Sequence, residues 1–426
     1  MSKMLEQILS NQNMNEARKK VRANKGTAGV DNITIDDLDT FIQENWATII
    51  AQIRKRKYDP PPVKRVEIPK ANGGIRILGI PTVMDRVIQQ AIVQVITPLC
   101  EPNFSEFSYG FRPGRNCEMA IVQLLQKINE GYQWLVDIDL EKFFDNVPQD
   151  RLMSLVHNMI NDGDTESLIR KYLRAGVMIT NRYEPTDIGT PQGGNLSPLL
   201  SNIMLNELDR ELENRGLNFV RYADDCIIAV KSHSSANRVM KSVTKWIQSR
   251  LGLKVNAEKS KITRPSKLKF LGFGFYYNSN KKSWMSRPHE DSVLKFKRKL
   301  KQWTRRNWSM NFRERIKKLN EVIRGWINYF SISSMKTKMR KIDEHLRTRL
   351  RIVLWKMWKV PSRRQWGLQK LGIKKDWARL TSYAGDRYQW VTTKTCVKLA
   401  ISKKRLTQAG LVSCLDYYTE KHSLYS

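Results

Sequence analysis

Residues 221–228 read Arg-Tyr-Ala-Asp-Asp-Cys-Ile-Ile and place two adjacent acids between apolar neighbours. The surrounding segment 219–230 is rich in β-branched and aromatic residues, which predicts a short strand. A second strand is predicted around 135–140, where the alternating residues send Asp137 and Asp139 to one face. Segments with helical periodicity lie between these strands, so the sequence predicts an α+β fold for the middle of the chain.

The acids in these two segments favour a metal site. Like charges in a partly buried sheet raise each other's pKa unless they share a cation. Carboxylate oxygens are preferred ligands of Mg²⁺, and a pair of such ions can support an in-line displacement at phosphorus. Salt bridges to the abundant Arg and Lys side chains are the alternative. A calcium-binding loop is excluded, because the sixth position counted from Asp137 is Lys142, where glycine is required.

The charge of the chain is unevenly distributed. Its 426 residues include 75 Lys plus Arg and 41 Asp plus Glu, a net charge of +34. Residues 1–260 are nearly neutral, with 34 basic and 31 acidic residues, whereas residues 261–426 hold 41 basic and 10 acidic ones. Such segregation indicates a polyanionic partner, and we expect nucleic acid.

Hydrophobic periodicity predicts the elements on either side of the acidic strands. Segments 63–68 and 74–78 read as a β-hairpin, and a helix is expected over about 84–99. Beyond residue 280, three amphipathic helices carry apolar stripes at 293–303, 316–330 and 339–357, with lysines and arginines on the opposite faces. A bundle of this kind can bury one side and present the other to phosphates.

Other classes of protein fit the sequence poorly. The five cysteines and five histidines are scattered, which excludes a disulfide framework or a zinc module and leaves free buried thiols. No stretch approaches the ~18 apolar residues that a membrane span needs. We therefore expect a cytoplasmic protein without a membrane partner.

The motifs resemble those of reverse transcriptases, and more narrowly those encoded by bacterial group II introns, also called maturases. Tyr-Ala-Asp-Asp at 222–225 follows Pro-Gln-Gly-Gly-Asn-Leu-Ser-Pro at 191–198, and Asp139 to Asp145 matches the Asp-x-x-x-Phe-Phe-Asp motif. Further blocks occur in family order at 68–81, 108–113, 253–260, 270–273 and 324–330. The resemblance implies a right-hand polymerase with an N-terminal extension and fingers (1–130), a palm (131–279), a helical thumb (280–360) and a basic DNA-binding region (361–426).

The resemblance also implies roles for individual residues. Asp139, Asp224 and Asp225 would be catalytic and, with the backbone of Leu140, would hold two Mg²⁺ ions, for which Mn²⁺ is a possible substitute. Strand register alone does not exclude Asp137. Phe144 would pack under the sugar and reject a 2′-hydroxyl. The other implied contacts are with the nucleotide, through Lys70, Arg76, Phe143, Gln192 and Lys259, and with primer or template, through Arg112, Tyr222, Gly272 and Arg324.

The implied partners are group II intron RNA, an RNA template with a DNA primer, target DNA and dNTPs, with no obligate protein partner. The clustered Cys and His ligands of the endonuclease found in many relatives are not present in this sequence. Three alternatives stay open. They are a related reverse transcriptase repurposed for defence or repair, a non-catalytic splicing chaperone, and an RNA-dependent RNA polymerase.

Overall fold

The computed structural model describes residues 1–69, 73–179, 182–191 and 193–425. Two of the predicted nucleotide-binding residues, Lys70 and Gln192, lie outside the described residues, as does the side chain of Arg76. The chain divides into two compact units, Met1–Arg264 and Pro265–Ser426. The finer division into fingers, palm, thumb and tail stays a prediction.

The first unit contains helices and two sheets. Its helices are α1 (Lys3–Ile8), α2 (Asn11–Ala23), α3 (Leu38–Arg54), α4 (Val83–Cys100), α5 (Cys117–Asn129), α6 (Phe143–Asn146), α7 (Gln149–Ile160), α8 (Gly163–Arg174), α9 (Ser197–Asn214) and α10 (His233–Trp246). Its strands are β1 (Val63–Pro69), β2 (Ile75–Ile80), β3 (Trp134–Ile138), β4 (Val177–Ile179), β5 (Arg182–Glu184), β6 (Asn218–Tyr222), β7 (Asp225–Val230) and β8 (Lys261–Thr263). The mixture of helix and sheet confirms the predicted α+β class.

One sheet positions the acidic residues. Its strand order is β6-β7-β3-β8, and all neighbouring strands are antiparallel. Asp137 lies opposite Ile227 and Ile138 opposite Cys226, so the same register brings Asp139 opposite Asp225. Apolar side chains of β3 and β7 are buried in a core shared with α4 and α9, because strand alternation turns them away from the acids.

The prediction of a single strand over 219–230 is wrong in one respect, because this segment forms a β-hairpin of two strands. β6 ends at Tyr222 and β7 begins at Asp225, and these two residues pair directly across the turn. Ala223 has a φ of +56°, the left-handed conformation that two-residue hairpin turns need. Asp224 therefore lies in a tight turn rather than in the body of a strand.

The second sheet contains the predicted N-terminal hairpin. Its strand order is β2-β1-β4-β5. β1 and β2 are antiparallel, with Lys64 opposite Ile80 and Ile68 opposite Arg76. β1 also pairs in parallel with β4. The predicted hairpin and the helix that follows it, α4, are confirmed within a few residues.

A buried carboxylate joins two helices, α4 and α8, and the segment after α3. Asp85, in the first turn of α4, is 1% exposed and accepts hydrogen bonds from the Tyr58 hydroxyl at 2.6 Å and the Tyr172 hydroxyl at 3.2 Å. The Thr82 hydroxyl, which caps the same helix, donates to Asp85 at 2.6 Å. Burial raises the pKa of Asp85 although the three hydroxyl groups oppose the shift.

We expect Asp85→Asn to flatten the pH dependence of stability. A raised pKa means that the folded protein holds the Asp85 proton more strongly than the unfolded chain. The free energy of unfolding of the wild type should therefore fall as pH rises above the ordinary carboxyl pKa of about 4. Urea unfolding midpoints of both proteins between pH 4.5 and 7 measure the difference. Parallel pH profiles would contradict a raised pKa.

The second unit begins with a hairpin and continues as helices. The hairpin consists of β9 (Phe273–Asn278) and β10 (Ser283–Pro288). The helices are α11 (Glu290–Trp303), α12 (Phe312–Phe330), α13 (Lys336–Met357), α14 (Pro361–Lys370), α15 (Lys375–Ser382), α16 (Tyr388–Thr393), α17 (Thr395–Ala400), α18 (Lys403–Gln408) and α19 (Cys414–His422). The predicted apolar stripes of α11, α12 and α13 are largely buried. Over the part of the chain that the structure describes, no helix is long and apolar enough to cross a membrane.

The last helix of this unit packs on α12 and α13. The Asp343 carboxylate of α13 accepts hydrogen bonds from the backbone N–H groups of Cys414 at 2.8 Å and Leu415 at 2.9 Å, and so caps α19. The Tyr418 hydroxyl donates to the carbonyl oxygen of Ser333 at 2.9 Å. These buried contacts make α19 part of the helical core of the second unit.

Candidate active site

Four carboxylates lie at one end of the β3–β7 pair. Asp137 is in β3, Asp139 follows it, Asp224 lies in the hairpin turn and Asp225 begins β7. The pKa of Asp225 is raised to about 7, first because protein atoms displace water around its carboxylate and then because Asp224, Asp137 and Asp139 are close. Burial raises the pKa of Asp137 to about 6, with Asp139 adding to the shift and Lys261 opposing it.

The backbone at Asp139 is held by the segment 254–260. Its N–H donates to the Ser260 hydroxyl at 3.0 Å, and its carbonyl accepts from the N–H of Asn256 at 2.8 Å. Leu140 is buried and bridges Val255. Lys259, from the same segment, brings its Nζ to 3.5 Å from Oδ1 of Asp139. The position of this carboxylate is therefore fixed by contacts about 120 residues away in sequence.

The residue types of this cluster are suited to binding a divalent cation, but their side chains are not arranged as a metal site in this structure. Four mutually repelling carboxylates, two of them with raised pKa values, form a hard oxygen donor set. Within the described ranges, however, no three Asp, Glu, His or Cys side chains converge as a ready-made metal site. A salt bridge from Lys259 partly balances the charge of Asp139.

The two phenylalanines after Asp139 have different surroundings. Phe143 is 2% exposed and belongs to the core, and its ring lies 5.3 Å from that of Phe144 in an edge-on contact. Phe144 is half-buried and lines a cavity of about 150 Å³ together with Gly79, Ile188 and Pro191. The cavity therefore joins Phe144 to the end of β2 and to the segment before position 192.

A buried glutamine that the sequence analysis missed supports this cavity. The side-chain amide nitrogen of Gln149, Nε2, donates to the carbonyl oxygens of Leu173 and Gly189, both at 3.0 Å. The N–H of Thr190 donates to the carbonyl oxygen of Phe144 at 2.7 Å. Gln149 and Phe144 together fix the segment that enters the Pro-Gln-Gly-Gly motif. A single Gln at the start of an amphipathic helix gave no local sign of this role.

The hairpin turn rests on a buried ion pair, which the sequence also did not reveal. Arg221 is 1% exposed at its side chain and Asp209 is 0% exposed, and two hydrogen bonds of 2.7 and 2.5 Å join them. Nη1 of Arg221 donates at 2.8 Å to the carbonyl oxygen of Ala223 and at 3.1 Å to Oδ1 of Asn202. The guanidinium thus ties the turn that carries Asp224 to helix α9.

Gly110 packs against the other side of this turn. A Cβ atom at position 110 would lie 2.3 Å from the backbone nitrogen of Ala223. The carbonyl oxygen of Gly110 accepts a hydrogen bond of 2.9 Å from the Asn202 side chain, which also contacts Arg221. Only glycine leaves room for the turn in this position.

Two predicted primer or template contacts in the first unit have different surroundings. Arg112 is buried, forms a 2.7 Å salt bridge with Glu101 and donates to the carbonyl oxygens of Ser105 and Ser108. This arrangement favours a structural role for Arg112 over a phosphate contact. Tyr222 is half-buried beside Phe111, with ring centroids 6.5 Å apart, and remains near the surface of the hairpin.

The other two predicted contacts belong to the second unit. Gly272 has a φ of +80°, and its carbonyl oxygen accepts hydrogen bonds from the N–H of His289 at 3.0 Å and the hydroxyl of Ser292 at 2.8 Å. Its conformation and these bonds set the entry to α11. Arg324 is exposed on α12. Both residues keep their predicted roles as proposals.

Two family descriptions match the chain. Residues 68–275 match the reverse transcriptase (RNA-dependent DNA polymerase) family, and residues 293–372 match the group II intron maturase-specific domain. The first match includes all four carboxylates, and the second begins in α11 and ends just after α14.

Individual proteins agree with these matches. The chain is 32% identical over 323 residues to the group II intron-encoded protein LtrA of Lactococcus lactis subsp. cremoris, covering 60% of this chain and 54% of that protein. It thus spans about half the length of LtrA. It is 31% identical over 287 residues to protein YkfC of Escherichia coli K12, covering 58% of this chain and 75% of YkfC. A chain of a solved partial Cas6-RT-Cas1–Cas2 complex is 24% identical with a TM-score of 0.36, covering 57% of this chain and 42% of that one, a similarity too low to carry an inference.

Proposed function

Because the chain belongs to the family of reverse transcriptases and maturases encoded by group II introns, we propose that it copies RNA into DNA and binds its intron RNA. DNA synthesis would extend the 3′-hydroxyl of a primer with dNTPs. RNA binding would assist splicing and mobility of the intron.

The carboxylate cluster is the observation that supports the catalytic part of this proposal. Asp139, Asp224 and Asp225, with the carbonyl oxygen of Leu140, would hold two Mg²⁺ ions. Bound divalent ions would supply positive charge to the attacking and leaving oxygens of nucleotidyl transfer. Burial, and then neighbouring carboxylates, raise the pKa values of Asp225 and Asp137, and bound cations would favour the ionised forms.

Basic residues near the cluster would bind the triphosphate. The Lys259 side chain is 65% exposed, so its ammonium group can leave Asp139 and approach a substrate phosphate. Lys70, Arg76 and Gln192 belong to the same proposal. Ile77 and Leu78 of β2, together with Pro191, line the cavity beside Phe144, so described neighbours of Arg76 and of position 192 lie at this cavity. Cationic donors in these places would neutralise the charge that develops on the departing pyrophosphate.

The maturase-specific match supports the RNA-binding part. It covers most of α11 and all of α12, α13 and α14, which lie in the strongly basic segment 261–426. The apolar faces of α11 to α13 pack into the core, so most of their lysines and arginines lie on the outside, although Arg315 and Arg351 are buried. Binding through phosphates predicts an affinity that falls steeply with salt.

Primer extension on a primed RNA template tests the enzyme and the role of Phe144 together. The wild type should incorporate dNTPs and discriminate against NTPs, because the half-buried Phe144 ring would occupy the space of a 2′-hydroxyl. Phe144→Ala should reduce this discrimination by roughly 10- to 100-fold, the range that removal of a steric contact can produce.

Ile188→Ala is the matched control, since Ile188 lines the same cavity and is 63% exposed. Its sugar discrimination should equal that of the wild type. Unchanged discrimination in Phe144→Ala would remove the assigned role of Phe144. No dNTP incorporation by the wild type would favour a non-catalytic splicing chaperone.

A further inference from the structure

A groove between α11 and α13 combines an apolar floor with a basic rim. It has a volume of about 360 Å³. Four buried aliphatic side chains form its floor, and basic side chains from both helices surround them. The floor residues are Val293, Leu300, Ile342 and Leu346, and the rim residues are Lys297, Lys338, Lys341, His345 and Arg349.

The rim carries an excess of positive charge. Among the described residues, no carboxylate lies within ion-pairing distance of Lys297, Lys338 or Lys341. Burial and then the charges of Arg287 and Lys297 lower the pKa of Lys338, with Glu290 opposing the shift. Burial and the neighbouring cations likewise lower the pKa of His345. The groove therefore concentrates repelling cations that a bound anion would stabilise.

Arg349 gives one wall of the groove a fixed shape. Its guanidinium donates to the carbonyl oxygens of Thr304 at 3.2 Å and Lys301 at 3.3 Å, at the C-terminal end of α11. These bonds join α13 to α11 at one end of the groove. The cavity is thus held open between two helices rather than formed by mobile side chains alone.

We propose that this groove binds a single unstacked nucleotide of an RNA, with the base on the apolar floor and the flanking phosphates on the lysines of the rim. The volume is within the range of small-ligand sites, which begins at about 300 Å³. A fully paired helix offers phosphates but no exposed apolar face, and it would leave the floor uncovered. Unstacked bases in loops and bulges offer both, and they are the usual targets of specific RNA recognition.

This inference rests on the proposed binding of intron RNA and names the feature of that RNA which the second unit recognises. The groove would recognise an unpaired base, whereas other basic residues would bind phosphates of any RNA. Exposed lysines elsewhere on α12 attract any RNA helix. The groove distinguishes an RNA with a protruding base from one without it.

The test compares two RNA hairpins that differ by one bulged purine, using the full chain. The wild type should bind the bulged hairpin about 10-fold more tightly, a gain that burial of a modest apolar area of one base on the aliphatic floor can supply. Lys338→Gln/Lys341→Gln should reduce this preference to about 1, because these lysines contact the backbone of a bulged nucleotide. Arg313→Gln/Lys317→Gln on α12 removes the same charge from two positions about one helical turn apart, outside the groove. It should weaken binding of both RNAs equally and keep the preference.

A crosslink gives an independent measure. A photoreactive purine, 8-azidoadenosine, in the bulge should crosslink to α11 or α13 of the wild type. A preference that survives in Lys338→Gln/Lys341→Gln, or crosslinks confined to other helices, would overturn the proposal. If the wild type extends primers but binds both hairpins equally, the groove assignment alone fails. If it neither extends primers nor binds RNA, the proposed function fails as well.

Discussion

Asp224→Asn is expected to lower the rate of DNA synthesis by at least ~10³-fold while RNA binding stays within about twofold of the wild type. Asparagine keeps the shape of the side chain but removes the negative charge that would hold a divalent ion. Loss of several kcal/mol of transition-state stabilisation corresponds to a rate change of this size. Single-nucleotide extension rates and RNA dissociation constants, measured on the same preparations, test both parts.

Asp150→Asn is the matched control for this prediction. Asp150 belongs to the same unit, is 85% exposed at its side chain and pairs with Arg170 on the surface. Its replacement should leave both activity and binding unchanged. Joint loss of extension and RNA binding in Asp224→Asn would instead mean that the carboxylate supports the fold. Full activity would mean that Asp224 holds no catalytic ion.

The second large effect is expected at the buried pair of Arg221 and Asp209. Removing one member of a buried ion pair leaves an uncompensated charge, which typically costs ~3–5 kcal/mol of the free energy of unfolding. Both side chains are fully buried, so water cannot replace the missing partner. We expect Asp209→Leu and Arg221→Met to be destabilised to this extent in urea unfolding.

The double variant separates stability from activity. Arg221→Met/Asp209→Leu removes both charges and should lose much less stability than the two single variants added together. Its polymerase activity should stay low, since the carbonyl oxygen of Ala223 loses its donor at the turn that carries Asp224. Recovery of activity along with stability would show that the ion pair does not position the turn.

Elements that depend on residues close together in sequence could be predicted from the sequence. The acids, the N-terminal hairpin and the three amphipathic helices are marked by patterns within about 20 residues, and the structure contains these elements. The turn at Ala223 was missed because its flanks are apolar enough to read as one strand. A left-handed alanine cannot be recognised from composition.

Other features depend on partners that are far apart in the chain. Gln149 contacts Gly189, 40 residues away, and Asp343 caps a helix about 70 residues later. Arg112 shows the converse difficulty, and its nucleic-acid contact stays a prediction. The family motif indicated a nucleic-acid contact, whereas its charge is satisfied by Glu101 in the interior. Whether a polar residue serves the ligand or the fold depends on burial, which one sequence does not show.

Gly110 shows that a residue without reactive groups can be required for the geometry of the candidate active site. It has no side chain and no acid–base chemistry, yet any larger residue there would push the backbone of Ala223 out of place. In a random library selected for cDNA production, position 110 would tolerate as few amino acids as the aspartates themselves. Selection data alone would therefore not separate the groups that react from the one that only leaves space for them.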